Sequence, residues 1–271
     1  MGWQGAPVAY SNRNGMRAGT LISLVDRAWW SRCWRKGREL ARQQDFLLLA
    51  AVVGTLLLVW AFIGVASEVF EGDTDSFDRM VLIALRNSAD PSKVIGPPIV
   101  TEMMRDLTAL GGVVVIAYIT LAVAGFLVLA RKPRALIAML LASGGGILMS
   151  QLLKGLYARP RPDVVPQLSY VSTSSFPSGH SALSAIVYLT LGAMLARLVN
   201  RPMLRIYIIG NAILLTFAVG VSRVMLGVHY PTDVLAGWTV GAAWALGCWA
   251  VMRALQRRNA VEKPQGPKQA T

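Results

Sequence analysis

The chain alternates long apolar runs with short polar segments. Residues 46–66 and 107–130 contain no charged side chain. Because about 20 residues at a helical rise of ~1.5 Å cross the roughly 30 Å hydrocarbon layer of a bilayer, each run is long enough to span a membrane. The pattern predicts an all-α polytopic membrane protein, a bundle of six transmembrane helices. The spans are expected at about 46–66, 107–130, 135–155, 180–199, 206–222 and 234–252.

The polar segment between the first two spans contains one further helical pattern. Its apolar residues recur at i, i+3, i+4, i+7 and i+8, at Phe77, Met80, Val81, Ala84 and Leu85. This spacing places them on one face of a helix. We therefore expect a short amphipathic helix near residues 74–89 that lies on the membrane surface.

The charge distribution indicates which partners suit the chain. There are 27 Lys and Arg against 14 Asp and Glu, a formal net charge of +13. A nucleic-acid partner would favour basic residues gathered along one polar face. Here they lie between the apolar runs, so we expect the bilayer as a partner and no nucleic acid. The sequence carries no signal for an oligomeric state.

The same charges predict an orientation. Six spans place both termini and the turns at 131–134 and 197–205 on one side, where 19 of the 27 Lys and Arg lie. The positive-inside rule assigns that side to the cytoplasm. The loops at 67–106, 156–179 and 223–233 then face the periplasm or exterior, and we expect the bacterial inner (plasma) membrane.

The segments that flank the spans are basic. Residues 1–45 are expected to be a partly disordered cytoplasmic segment, and residues 253–271 a disordered cytoplasmic tail, with one membrane domain at 46–252 between them. Cys33 lies in the basic N-terminal segment and Cys248 in the last apolar run, so we do not expect a disulfide between them. Neither cysteine belongs to a metal-ligand spacing. We expect neither a metal nor another cofactor.

Most residues capable of catalysis fall at span ends or loops on the predicted outer side: Lys154, Arg159, Arg161, Ser178, His180, Arg223, His229 and Asp233. Both histidines of the chain belong to this set. Each member alone has an ordinary structural interpretation, such as snorkelling for Lys154 or helix capping for Asp233. Together on one side, near membrane depth where ionisable groups are costly, they favour a functional site.

These residue types suit attack on phosphorus. Phosphoryl transfer depends on positioning and on stabilising the charge of the phosphate oxygens. Lys154, Arg161 and Arg223 supply cations for that purpose. Ser178 and Gly179 begin an apolar run, and unpaired N–H groups at a helix start bind anions.

The two histidines have different expected roles. His229 and Asp233 are four residues apart, so the carboxylate can accept from one ring nitrogen and leave the other free as a nucleophile. His180 has no carboxylate in such a fixed relation. We therefore interpret His180 as the general acid that protonates the leaving oxygen.

Three motifs contain these residues. The first is Lys154, six residues, then Arg161-Pro162; the second is Pro177-Ser178-Gly179-His180; the third is Ser222-Arg223, five residues, His229, three residues, Asp233. In this order and spacing the chain resembles the type 2 phosphatidic acid phosphatase superfamily, which includes membrane lipid phosphate phosphatases and vanadium haloperoxidases. The likeness covers residues 150–235.

The resemblance implies a metal-independent hydrolase with His229 as nucleophile and His180 as acid. It implies a phosphate pocket formed by Lys154, Arg161, Ser178, Gly179 and Arg223. For the lipid-acting branch it also implies six membrane helices and a site open to the outer leaflet. Arg159 offers a further cation out of register with the first motif, so a contact between Arg159 and the ligand stays an open alternative.

The expected function is an integral membrane phosphatase that hydrolyses a lipid phosphate or pyrophosphate through a phosphohistidine and releases inorganic phosphate. Phosphatidic acid, phosphatidylglycerol phosphate, lipid A phosphates and a polyprenyl pyrophosphate such as undecaprenyl pyrophosphate are the substrate types that the resemblance suggests. One alternative is a lipid phosphotransferase that uses the same site. Another is a non-enzymatic transporter or binding protein for anionic lipid. Six spans make the soluble haloperoxidase branch a poor match.

Overall fold

The computed structural model describes residues 44–169 and 173–257, which contain eight α-helices and no strand. The predicted all-α membrane fold is confirmed. Most of the basic segment 1–45, with Cys33, and of the tail 253–271 lies outside the described residues. The helices are α1 (Gln44–Glu71), α2 (Asp75–Ala84), α3 (Ile99–Ala109), α4 (Val113–Leu129), α5 (Pro133–Leu156), α6 (Gly179–Ala196), α7 (Pro202–Met225) and α8 (Pro231–Arg257).

Five helices are long and apolar enough to cross a membrane, namely α1, α5, α6, α7 and α8. The pair α3 and α4 passes the same test together, with a bend of 43° between them, and makes a sixth candidate when it is counted as one broken span. The predicted span at 107–130 is thus made of two helical segments, α3 and α4. The chain breaks at 110–112, and the helical stretch begins earlier, at Ile99.

The break is closely packed against two other helices. A Cβ on Gly111 would lie 2.4 Å from Cγ1 of Val219 and 3.3 Å from Cβ of His180, so only glycine allows α7 and α6 to approach this closely. The Tyr188 hydroxyl donates to the carbonyl of Leu110 over 2.7 Å. This bond satisfies a backbone oxygen that the interrupted helix leaves free.

The remaining boundaries need smaller corrections. α1 continues past the predicted end at 66 as far as Glu71, and residues 253–257, predicted as the start of a disordered tail, belong to α8. α2 is shorter than the predicted 74–89. Its Phe77 and Met80 are 51% and 62% exposed, whereas Asp78, on the polar side of the sequence pattern, is fully buried.

α6 lies at the centre of the bundle and packs against α5, α7 and α8. The approach of α8 depends on Gly237 and Gly241. A Cβ on Gly237 would lie 2.7 Å from the Ser178 carbonyl oxygen, and one on Gly241 would lie 2.7 Å from that of Ala182. Small residues at this spacing let two helix backbones touch, which holds the start of α6 against the start of α8.

Candidate active site

Four helix ends meet at the site: the C-terminal ends of α5 and α7 and the N-terminal ends of α6 and α8. At the start of α6, the Ser178 N–H donates to the carbonyl of Asp233 in α8 over 2.9 Å. Lys154, near the end of α5, donates to the carbonyl of Ser174 over 2.9 Å. The loop between α7 and α8 joins them because Arg161 donates to the carbonyl of Val228 over 2.6 Å. All eight predicted site residues belong to these helix ends and the loops between them.

His229 is held from one side of its ring. Its Nδ1 lies 3.4 Å from Oδ2 of Asp233 and 3.4 Å from the hydroxyl of Ser175. The same carboxylate oxygen accepts from the Ser175 hydroxyl and, over 2.9 Å, from the N–H of Tyr230. His229 is only 1% exposed and Asp233 is fully buried. The carboxylate therefore orients the imidazole with Nδ1 inward.

The other nitrogen of His229 faces a cation. Its Nε2 lies 3.3 Å from Nη1 of Arg161, and Arg161 is itself fixed by a 2.7 Å bond from Nε to the carbonyl of Thr173. Burial lowers the pKa of His229 to about 4; Asp233 opposes this shift, and Arg223 and Arg161 reinforce it. The ring is therefore neutral at pH 7, with a lone pair on a nitrogen beside the cations.

Arg223 is the most enclosed of the cations. It is 2% exposed, and its Nη1 donates to the hydroxyl of Thr108 over 3.0 Å. Its Nε has no hydrogen-bond partner among the described residues. Buried donors are almost always paired, so this N–H suits an oxygen of an anionic ligand.

The start of α6 completes the arrangement. Ser178 is fully buried, and its hydroxyl accepts from the hydroxyl of Ser181 over 3.0 Å. A Cβ on Gly179 would lie 3.0 Å from Cε of Lys154, so the lysine stem passes directly over this glycine. His180 follows in the first turn, half-buried, where it interacts electrostatically with Arg223 and His229.

Known proteins are similar to this chain in sequence and in fold. The model of the PAP2 superfamily matches residues 133–257. Phosphatidylglycerophosphatase B of Bacillus subtilis (strain 168) is 35% identical over 151 residues, which cover 55% of this chain and 73% of the relative. The chain belongs to the PAP2 superfamily. The resemblance seen in the three motifs is thereby confirmed, and the protein is a PAP2-type membrane phosphatase.

Two further comparisons agree with this membership. The crystal structure of a transmembrane PAP2 type phosphatidylglycerolphosphate phosphatase from Bacillus subtilis matches with a TM-score of 0.66 and 28% identity, over 75% of this chain and 98% of that one. The lipid A 1-phosphatase of Rhizobium johnstonii is 38% identical over 109 residues, 36% of this chain and 40% of the relative.

Arg159 of this PAP2 protein is engaged away from the predicted phosphate pocket. Its Nη1 donates to Oδ1 of Asp233 and to the hydroxyl of Thr232, each over 2.9 Å. Its Nη2 donates to Asp78 over 2.9 Å and to Asp75 over 3.2 Å. The sequence left open a contact between Arg159 and the ligand. This geometry does not favour that contact, because the guanidinium already donates to the carboxylates of Asp233, Asp78 and Asp75.

Three residues of the site were not identified from the sequence of this PAP2 protein: Ser175, Asp78 and Thr108. Ser175 stands two residues before Pro177, where a serine beside a turn is unremarkable. Asp78 lies outside the apolar positions of the amphipathic pattern, and nothing local in the sequence relates it to the three motifs. Thr108 lies inside an apolar run, and nothing local relates it to Arg223.

Proposed function

We propose that this PAP2 protein hydrolyses a lipid phosphate or lipid pyrophosphate through a phosphohistidine on His229. The observation that supports this most directly is the orientation of one ring. Asp233 holds Nδ1 of His229, and Nε2 lies 3.3 Å from Arg161. A neutral nucleophile that faces the cations is placed to attack a phosphorus atom whose oxygens those cations bind.

In the first step Nε2 of His229 forms a bond to phosphorus, and the bond from phosphorus to the leaving oxygen breaks. His180 gives its proton to that oxygen, so the lipid leaves as an alcohol, or as a monophosphate if the substrate is a pyrophosphate. Negative charge on the transferred group is stabilised by Lys154, Arg161 and Arg223. Donors at the start of α6, from Ser178 and Gly179, act with them.

In the second step a water oxygen attacks phosphorus and the bond to Nε2 breaks. His180, now unprotonated, takes one proton from the water, and inorganic phosphate is released. His229 keeps its Nδ1 proton directed to Asp233 throughout, so the carboxylate stabilises the positive ring of the phosphohistidine without accepting the proton. In sum, a lipid phosphate and one water give a lipid alcohol and one phosphate, and a lipid pyrophosphate and one water give a lipid monophosphate and one phosphate.

A lipid is the proposed substrate because the site lies at the ends of α5, α6, α7 and α8, all four of which are long and apolar enough to span a membrane. Phosphatidylglycerol phosphate is the first candidate, since the names of the B. subtilis relative and of the matching structure carry that activity. Phosphatidic acid, a lipid A phosphate and undecaprenyl pyrophosphate are the others. A panel of these four, presented in mixed micelles to the purified protein, should give the highest kcat/KM for phosphatidylglycerol phosphate.

Released phosphate is the readout of that panel, and a parallel sample with an added acceptor lipid tests for phosphoryl transfer. Equal rates on all four lipids would contradict the substrate assignment. Phosphorylated acceptor without free phosphate would contradict hydrolysis.

We also propose that the site faces the periplasm or exterior of a bacterial inner membrane, with cytoplasmic termini. The support is the charge asymmetry, with 19 of 27 Lys and Arg on the opposite side.

A further inference from the structure

The two oxygens of the Asp233 carboxylate have separate partners. Oδ2 lies beside His229 and accepts from Ser175 and the Tyr230 N–H. Oδ1 accepts from Arg159 over 2.9 Å. Because one rigid carboxylate carries both sets of contacts, any force on Oδ1 turns Oδ2, and with it the support of His229.

Arg159 is enclosed by groups that fix its plane. Nη1 of Arg159, which donates to Asp233, also donates to the hydroxyl of Thr232 over 2.9 Å. The guanidinium carbon lies 4.2 Å from the centre of the Tyr230 ring. A planar fork with several donors can hold two carboxylates and an aromatic face at once. Burial alone would lower the pKa of Arg159, yet Asp233 and Asp78 raise it. The group is a permanent cation between the two buried acids Asp233 and Asp78, with the exposed Asp75 as a third partner.

Asp78 closes the arrangement from outside the three motifs. It comes from α2 and is fully buried. Its Oδ2 accepts from Arg159 over 2.9 Å and from the Thr232 hydroxyl over 2.5 Å, and its Oδ1 accepts from the Thr232 N–H over 3.1 Å. Burial raises the pKa of Asp78, and the bonds from Thr232 and Arg159 oppose that shift. A carboxylate this enclosed is costly unless it is fully bonded.

We propose that Arg159 and Asp78 are positioning residues for the nucleophile: Arg159 orients Asp233 and balances its charge, and Asp78 holds Arg159, which makes α2 a part of the catalytic apparatus. The inference rests on the proposed function, in which neutral His229 attacks phosphorus. Neither residue touches the substrate. Both act on His229 through Asp233.

The charges give opposite consequences for the two residues. The groups that face His229 are Asp233 from α8, Arg223 from α7, Arg161 from the loop after α5 and His180 from α6. Loss of the Arg159 charge leaves Asp233 and Asp78 uncompensated, which favours protonated His229. Loss of the Asp78 charge leaves Arg159 with less compensation, which favours neutral His229.

The acidic limb of the pH profile of kcat/KM reports the protonation of His229, because the free enzyme must hold His229 neutral to react. Arg159→Gln should move the limb to higher pH, and Asp78→Asn should move it to lower pH, each by about 0.5–1 pH unit. Ionisation of the substrate is the same for every variant, so the displacement from wild type belongs to the protein. Arg159→Gln should also lower kcat/KM at pH 7 by about 10- to 100-fold, as losses of orienting partners commonly do.

Arg159→Lys and Asp90→Asn are the matched variants. Lysine keeps the charge without the planar fork, so the limb should stay at the wild-type pH while kcat falls less than in Arg159→Gln. Asp90 forms an exposed pair with Lys93 over 2.9 Å, and Asp90→Asn should match wild type in both respects. If Arg159→Gln does not fold, Arg159→Lys and Asp78→Asn still carry the comparison.

Folded Arg159→Gln and Asp78→Asn proteins that lose activity with no displacement of the limb, or with displacement in the same direction, would overturn the proposal. His229→Ala in the same series separates this outcome from failure of the proposed function. Turnover retained in His229→Ala contradicts the phosphohistidine itself. If His229→Ala is inactive and the acidic limbs of Arg159→Gln and Asp78→Asn stay at the wild-type pH, only the role of Arg159 and Asp78 is contradicted.

Discussion

Asp233 Oδ2 lies 3.4 Å from Nδ1 of His229, and the remaining ring nitrogen faces Arg161. This relationship assigns opposite sides of one imidazole to opposite tasks. The inner side fixes the tautomer and orientation, and the outer side carries the lone pair that the proposed reaction requires.

His229→Ala should lower the rate of phosphate release by about 10⁴-fold or more, because the proposed reaction loses its nucleophile, Nε2 of His229. Asp233→Asn should retain the geometry and lose about 10²- to 10⁴-fold, since an amide can present the wrong partner to Nδ1. Phosphate release by purified protein is the measurement. Arg105→Gln, which removes an exposed pair with Glu102, is the control and should behave as wild type. Near-normal turnover of His229→Ala would contradict the mechanism.

Ser175→Ala should lower kcat by about 10-fold or more while KM changes little, because its hydroxyl donates to Asp233 and does not belong to the proposed phosphate pocket. Steady-state kinetics on one lipid phosphate checks this. Ser92→Ala, at an exposed serine whose hydroxyl donates to Asp90, is the matched substitution. A change confined to KM would place Ser175 in substrate binding instead.

Vanadate should inhibit strongly, and chelators should leave activity unchanged. The oxyanion can adopt the five-coordinate geometry of the transition state, and the proposed charge stabilisation comes from Lys154, Arg161 and Arg223. Phosphate release with vanadate, and separately with EDTA, tests both statements. Activity lost in EDTA and restored by a divalent ion would show that a metal takes part.

Gly237→Ala should destabilise the protein by about 1–3 kcal/mol, as overpacking at a tight contact does, because the added Cβ would lie 2.7 Å from the Ser178 carbonyl oxygen. The start of α8 would move away from α6, so activity should fall together with the thermal midpoint. Gly144→Ala is the control, since a Cβ there meets nothing within 4 Å. Equal midpoints for the two variants would contradict the packing argument.

The proposed orientation can be tested with single cysteines after Cys33 and Cys248 are replaced by serine. Lys93→Cys, at an exposed position in the loop between α2 and α3, should react with an impermeant thiol reagent added to intact cells. Arg201→Cys, exposed in the turn before α7, should react only after the membrane is opened. The reverse pattern would invert the topology.

The sequence by itself determined the membrane class, and it predicted the approximate position of each span and the assembly of the three motifs in one site. These features are local. A span is a property of about 20 consecutive residues, and each motif joins residues only a few positions apart. His229 and Asp233 could be paired in advance because helical spacing relates them directly.

Only the tertiary structure decided the break at 110–112, the burial of Asp78 and the partners of Arg159. Each depends on contacts between distant parts of the chain. At the break, Val219 and His180 lie against Gly111, and Asp78 accepts from Thr232, 154 positions away. Local periodicity predicts that a carboxylate in an amphipathic helix faces water. It carries no information about Arg159 and the start of α8, which the fold brings against Asp78.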